Sequence, residues 1–173
     1  YTPPEHLAEL YKDRLYDGEI AYVDEQLSRL AGALGAANRE PVWVVAGDHG
    51  EALGAHHELT HGLFTYNQTQ WVPFIVSGPG IDPAVIAEPA TVADVFPIAL
   101  TAAKLPVPEG IDGRATPEAG RTIYMESYQP TERYGYAPHT TVVVDNLKLI
   151  DTPIPELFDQ NADIDEKANL ATD

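Results

Sequence analysis

The chain has 173 residues, no Cys, and 27 Asp and Glu against 10 Lys and Arg, a formal charge of −17. A surface of that sign repels phosphates, which argues against nucleic-acid and anionic-membrane binders. Without Cys there are no disulfides, thiolate nucleophiles, Fe–S clusters or thiolate-bound zinc.

With 44% hydrophobic and 21% charged residues, the chain is apolar and long enough to bury one sizeable core. Its longest apolar runs, Val42 to Ala46 and Phe74 to Val76, are far shorter than the about 18 residues a membrane span needs, so no span is expected. The N-terminus has neither an initiator Met nor the order of a signal peptide, so Tyr1 reads as an internal start, whether of a mature form, a single domain or a fragment of something longer.

Thr2-Pro3-Pro4-Glu5 carries the capping-box pattern, with proline in the first turn, and predicts a helix start. Leu7, Leu10 and Tyr11, then Ile20, Val23, Leu27, Leu30 and Leu34, recur at steps of three and four. They predict one amphipathic helix, bent near Gly18, stopped by Gly35 and packed through its apolar face. Val42 to Ala46 is apolar without alternation, which reads as a strand covered on both faces, typical of a parallel sheet. A polar loop from Glu51 to Gln70 separates it from a second strand at Phe74 to Val76. Thr91 or Asp94 starts the next helix, through Phe96, Leu100 and Ala103. From Thr122 the pattern changes to short extended pieces, Thr122 to Met125, Thr140 to Val144 and Lys148 to Ile150, with a hairpin turn at Asp145-Asn146. The expectation is an α/β core in residues 1–120, then a small antiparallel sheet and a surface tail in 121–173.

Asp48 and His49 stand at the carboxyl end of the first strand, where open α/β sheets place their ligands, and Gly47 and Gly50 permit a turn there. A carboxylate with an imidazole suits Zn²⁺ or Mn²⁺, or Ca²⁺ and Mg²⁺ where the other ligands are oxygens. Alternatively, Asp48 caps a loop and His49 is a hydrogen-bonded core residue. The thirteen positions 49 to 61 hold four His (49, 56, 57 and 61) where even spacing gives roughly half of one, which favours a functional loop. His61 precedes a glycine, so a ligand can approach it, and its imidazole can bind an anionic oxygen or protonate a leaving group. Glu51 and His56 are second-layer candidates, Glu51 as a partner orienting His49. Tyr124, Tyr128, Tyr134 and Tyr136, with Glu126 and Arg133, either wall a pocket for a sugar or aryl group or simply pack. Asp159 to Asp165 mimics a calcium loop but has Ile164 where Gly is needed and Leu170 where Glu is needed.

In this order, several segments resemble the carboxyl-terminal half of the sulfatase family, within the alkaline-phosphatase superfamily. They are Tyr16-Asp17-Gly18-Glu19-Ile20-Ala21-Tyr22-Val23-Asp24, Gly47-Asp48-His49-Gly50-Glu51, His61-Gly62 with Tyr66, Val72-Pro73-Phe74-Ile75-Val76, Leu105-Pro106-Val107-Pro108-Glu109-Gly110-Ile111-Asp112-Gly113, and Pro155-Glu156-Leu157-Phe158-Asp159 with Asn169-Leu170. The resemblance implies part of an alkaline-phosphatase-like αβα sandwich with the small antiparallel sheet at its end. It implies that Asp48 and His49 bind one divalent cation, most usually Ca²⁺ in the family, and that His61 contacts a sulfate or phosphate ester. It further implies a periplasmic or extracellular setting. The family's remaining metal ligands and its nucleophile, a formylglycine matured within Cys/Ser-x-Pro-x-Arg, have no counterpart in residues 1–173, so they are expected in an upstream half of the fold and this segment alone is expected to be inactive. Sulfatases often carry Asn as the second ligand. Asp-His is also usual in phosphodiesterases, phosphonate hydrolases and phosphoethanolamine transferases, which keeps phosphorus esters open as substrates. A non-catalytic metal- or glycan-binding module is the reading from a different class.

Overall fold

The computed structural model describes residues 1–172. The chain forms two compact units, Tyr1–Val42 with Gly78–Gly80, and Trp43–Ser77 with Ile81–Asp173.

The first unit is two helices, α1 (Glu5–Leu10) and α2 (Leu15–Ala36), rather than one bent helix. The break falls between Tyr11 and Arg14 and not at Gly18. Gly18 is buried inside α2 because α1 folds back over it: a Cβ there would lie 2.9 Å from Pro3 Cγ and 3.2 Å from Tyr11 Cβ. The missing side chain admits a neighbour instead of supplying a hinge. Thr2 does not cap α1, whose N-cap is Pro4 without a side-chain bond; the Thr2 backbone N–H donates to Glu19 Oε1 at 2.6 Å. His6 bonds Glu25 across the two helices at 3.1 Å, and Leu7 is buried. The expected packed face of α2 is open, since Ile20, Val23, Leu27 and Leu30 are 36–57% exposed.

In the second unit, β1 (Trp43–Ala46) leads into a long loop holding α3 (Asn67–Gln70), and the chain returns as β2 (Phe74–Ser77). These strands pair antiparallel, Trp43 opposite Ser77 and Ala46 opposite Phe74, which corrects the expectation of a parallel sheet there. An unbroken apolar run reports how a strand is covered, whereas its direction follows from the connection, here a loop that doubles back. The helix start expected at Thr91 or Asp94 is a capping box formed by both residues, and α4 (Val95–Ala102) follows it. Asp94 is buried and accepts from the Thr91 and Arg114 backbone N–H groups and, at 2.7 Å, from Arg121.

The remaining elements are β3 (Ile123–Ser127), α5 (Gln129–Tyr134), β4 (His139–Val144), β5 (Leu147–Asp151) and β6 (Glu156–Asp159). The four strands form an antiparallel meander in chain order, with the β4–β5 turn at Asp145-Asn146 as the sequence predicts. Asp145 takes the left-handed conformation (φ 53°) that such a turn requires. Along β5, burial alternates and turns Lys148 and Ile150 inward, and Phe158 of β6 stands opposite Lys148. Lys148 is thus fully buried at a core position, where its ammonium meets Glu166 Oε1 at 2.6 Å and Asn67 Oδ1 at 3.0 Å. Glu166 is buried too, which corrects the expectation of a surface tail: the tail turns one carboxylate inward to neutralise a core cation. Asp159 and Asp163 cap turn backbone, accepting from Asn161, Lys167 and Ala168 N–H groups.

Removing one partner of the buried pair strands a charge. Glu166→Ala or Lys148→Ala is expected to cost about 3–5 kcal/mol in urea unfolding, and the double change Lys148→Met with Glu166→Leu distinctly less than either. Burial raises the Asp94 carboxyl, but Arg121 and the two backbone donors outweigh it and hold the group below the usual Asp range. Its stabilising contribution is therefore complete above about pH 4, the unfolded Asp value, and is lost as pH falls through the lower folded value. Acid unfolding curves should show this slope in the native protein and lack it in Asp94→Asn.

Candidate functional site

The loop between β1 and β2 gathers four of the residues singled out from the sequence. Asp48 follows the strand after Gly47, its side chain 89% exposed. The His49 backbone N–H donates to Asp48 Oδ1 at 3.0 Å. That bond, Asp48's own N–H and the His49 ring hold the Asp48 carboxyl below its usual range, so it is anionic at neutral pH.

His49 Nδ1 lies 2.9 Å from the Gly50 carbonyl. A carbonyl only accepts, so Nδ1 carries the hydrogen and the neutral ring keeps its lone pair on Nε2, which sits 3.7 Å from Asp48 Oδ2. This is the tautomer a metal ligand needs, with its other nitrogen tied down. Carboxylate and imidazole nitrogen therefore fit a divalent cation as two ligands of a set. Among the described residues, no group of three or more His, Asp or Glu side chains converges on a metal position.

His61 stacks on His49 with ring centroids 3.8 Å apart. Its Nδ1–H points to the Glu51 carboxylate at 3.3 Å, leaving Nε2 for a ligand. Glu51, the candidate partner of His49, bonds His61, and its side chain is only 8% exposed. Gly50 is required by close approach and not by an unusual φ, since a Cβ there would meet the Gln68 carbonyl at 2.2 Å. Its N–H donates to the Thr69 carbonyl at 2.7 Å, joining the metal motif to α3.

His56 takes other partners. It stacks on Tyr66 with centroids 3.7 Å apart and donates from Nε2 to the Asp165 carbonyl at 3.0 Å. With Gln68, Glu156 and Lys167 it lines a polar cavity of about 490 Å³ beside the tail. Tyr66 donates to Glu156 Oε2 at 2.6 Å, and burial together with that carboxylate pushes its phenol well above the usual range. His57 is exposed.

Sequence reasoning missed Glu58. This buried carboxylate accepts from the Leu63 N–H at 2.7 Å and the Phe64 N–H at 3.4 Å, closing the turn that presents His61. One Glu in an acidic loop gives no sequence signal; only the direction of its side chain separates it from its neighbours. Asn67 was missed likewise. Its N–H donates to Glu166 Oε2 at 2.7 Å, so the helix following the site is fastened to the tail.

The sulfatase family model matches residues 3–105. The uncharacterized sulfatase YidJ of Escherichia coli (strain K12) is 30% identical over 173 residues, 95% of this chain and 35% of its own length. A structure solved in complex with its substrate D-glucosamine-2-N,6-O-disulfate is 26% identical with a TM-score of 0.71, covering 92% of this chain and 36% of that one. The phosphonate monoester hydrolase of Silicibacter pomeroyi is 22% identical with a TM-score of 0.75, over 93% of this chain and 37% of that one. The chain spans about a third of the length of the curated relatives it matches, which reach 35% and 33% coverage. The mixed α/β architecture with its small antiparallel sheets has the alkaline-phosphatase-like fold of these neighbours. On a family match that covers more than half of its residues, this chain belongs to the sulfatase family.

Proposed function

We propose that this chain is the carboxyl-terminal portion of a metal-dependent sulfuric-ester hydrolase, in which Asp48 and His49 hold a divalent cation and His61 contacts the ester. One arrangement carries the reading: an ionised Asp48, a His49 whose Nε2 lone pair faces it, and a His61 stacked on His49 all lie on a single loop. The cation supplies Lewis-acid stabilisation of the negative charge that develops at the ester. Asp48 and His49 donate oxygen and nitrogen to it. In its doubly protonated form, His61 gives Nδ1–H to Glu51 and Nε2–H to an ester oxygen, and the Nε2 proton can pass to the departing alcohol.

The nucleophile and the other ligands belong, in this reading, to a part of the protein outside residues 1–173. Three observations support that. Among the described residues no third metal donor joins Asp48 and His49, the apolar stripe of α2 is exposed, and the chain spans about a third of its relatives' length. The Asp-His pair also favours phosphorus esters as a second reading, alongside the phosphonate hydrolase neighbour. The substrate of the disulfated-glucosamine neighbour makes sulfated sugars the first class to assay.

In the full-length protein, Asp48→Ala and His49→Ala are each expected to lower kcat/KM at least about a hundredfold and to weaken metal uptake. Chelation should abolish turnover and added cation restore it. Sulfate and phosphate esters of one alcohol, assayed side by side, decide between the two readings. The isolated 173-residue chain should turn over neither. Full activity and full metal content in Asp48→Ala would overturn the assignment.

A further inference from the structure

The turn that presents His61 touches the β3–α5 junction at two points. Ser127, the last residue of β3, donates its hydroxyl to the Gly62 carbonyl. Gln129, the first residue of α5, lies so close that a Cβ on Gly62 would sit 2.8 Å from its Oε1, and Gly62 also holds φ 98°. Only glycine fits there, and its bareness lets α5 abut the residue after His61.

Gln129 and Arg133 are one helical turn apart and share a face of α5. Arg133 is exposed and has no ion-pair or hydrogen-bond partner among the described residues. That is notable in a chain with 27 acidic and 10 basic residues, and the unit's other two arginines, Arg114 and Arg121, are both held by carboxylates. Beyond Arg133, the rings of Tyr134 and Tyr136 stack at 6.1 Å with an interplanar angle of 24°, and they remain 54% and 70% exposed. The turn carrying them is rigid. Gly135 caps α5 at φ 71°, its N–H donating to the Thr131 carbonyl and the Tyr136 N–H to the Pro130 carbonyl.

We propose that this junction is the subsite for the alcohol part of the ester: a sugar ring lies against Tyr134 and Tyr136, and Arg133 pairs with a second anionic group on that sugar. The assignment rests on His61 as the group that contacts the ester. A guanidinium kept free in an acidic surface matches an anion, and exposed aromatic rings offer an amphipathic sugar a flat apolar face. The subsite is continuous with the catalytic loop through Gly62.

The test uses the full-length protein and three sulfate esters: one of a neutral sugar, one of the same sugar with a second sulfate, and one with a carboxylate. Arg133→Ala should raise KM about tenfold for the two doubly anionic esters, leave kcat unchanged, and leave the neutral-sugar ester unaffected. Arg133→Lys should recover part of the loss, and high salt should shrink the difference. Calorimetry with glucuronate and neutral galactose separates this inference from the functional reading. Wild-type protein and His61→Ala should bind glucuronate about tenfold more tightly than Arg133→Ala does, with neutral galactose bound alike by all three, whether or not any ester is turned over. Equal affinity in Arg133→Ala, or an equal KM change on all three esters, would overturn the subsite. Absence of turnover with the binding difference intact would overturn only the hydrolase reading.

Discussion

A lysine and a glutamate, both with side chains fully buried and 2.6 Å apart, hold the second unit together at Lys148 and Glu166. Burial pulls the Lys148 ammonium below its usual pKa, and the Glu166 carboxylate opposes that. Such a pair contributes little net stability over apolar residues of the same size, but it tolerates no partial loss. Its value here is positional. Asn67 accepts from Lys148, donates its backbone N–H to Glu166 and reaches Gln160 and Ile164 with its side chain. One polar knot thus joins the middle of a strand, the start of α3 and the chain's last turns.

The site depends on that knot because the loop before it has little core of its own. The β1–β2 loop includes several residues in left-handed backbone conformations, among them Leu53, His56 and His57. Each costs free energy and persists only when its surroundings over-determine it. Glu58 closes the turn around His61 from within, Gly50 locks the Asp48-His49 segment onto the α3 backbone, and the Thr65 and Thr141 hydroxyls meet at 2.6 Å to fix the loop on β4. Asp48, His49 and His61 are therefore exposed ends of a buried polar scaffold, an arrangement suited to side chains that must keep their geometry while facing solvent.

Much of this was legible in the sequence where the signal is local. The helix start at Thr91 or Asp94, the strands β1 and β2 and the Asp145-Asn146 hairpin each rest on a few adjacent residues, and the structure has them. The Asp48-His49 pair and His61 were found from composition and position, and the loop does bring them together. What was not legible depends on distant partners. Glu166 looks like one more acid in an acidic tail until Lys148, eighteen positions earlier on an alternating strand, turns inward. The Glu51 carboxylate meets His61, ten positions further on, through the fold of the loop. Strand direction at β1, and the burial of Gly18 beneath Pro3, likewise follow from how the chain returns and not from the residue types at those positions.

The central claim is that the knot at Lys148, Glu166 and Asn67 holds the β1–β2 loop in place, and amide hydrogen exchange on Glu166→Ala tests it directly. The account predicts lost protection at Leu63, Phe64 and Thr69, whose N–H groups are bonded within the loop, while the amide of Ala103, which caps α4 by donating to the Ala99 carbonyl, stays protected. Unchanged protection at Leu63, Phe64 and Thr69 in that variant would contradict it.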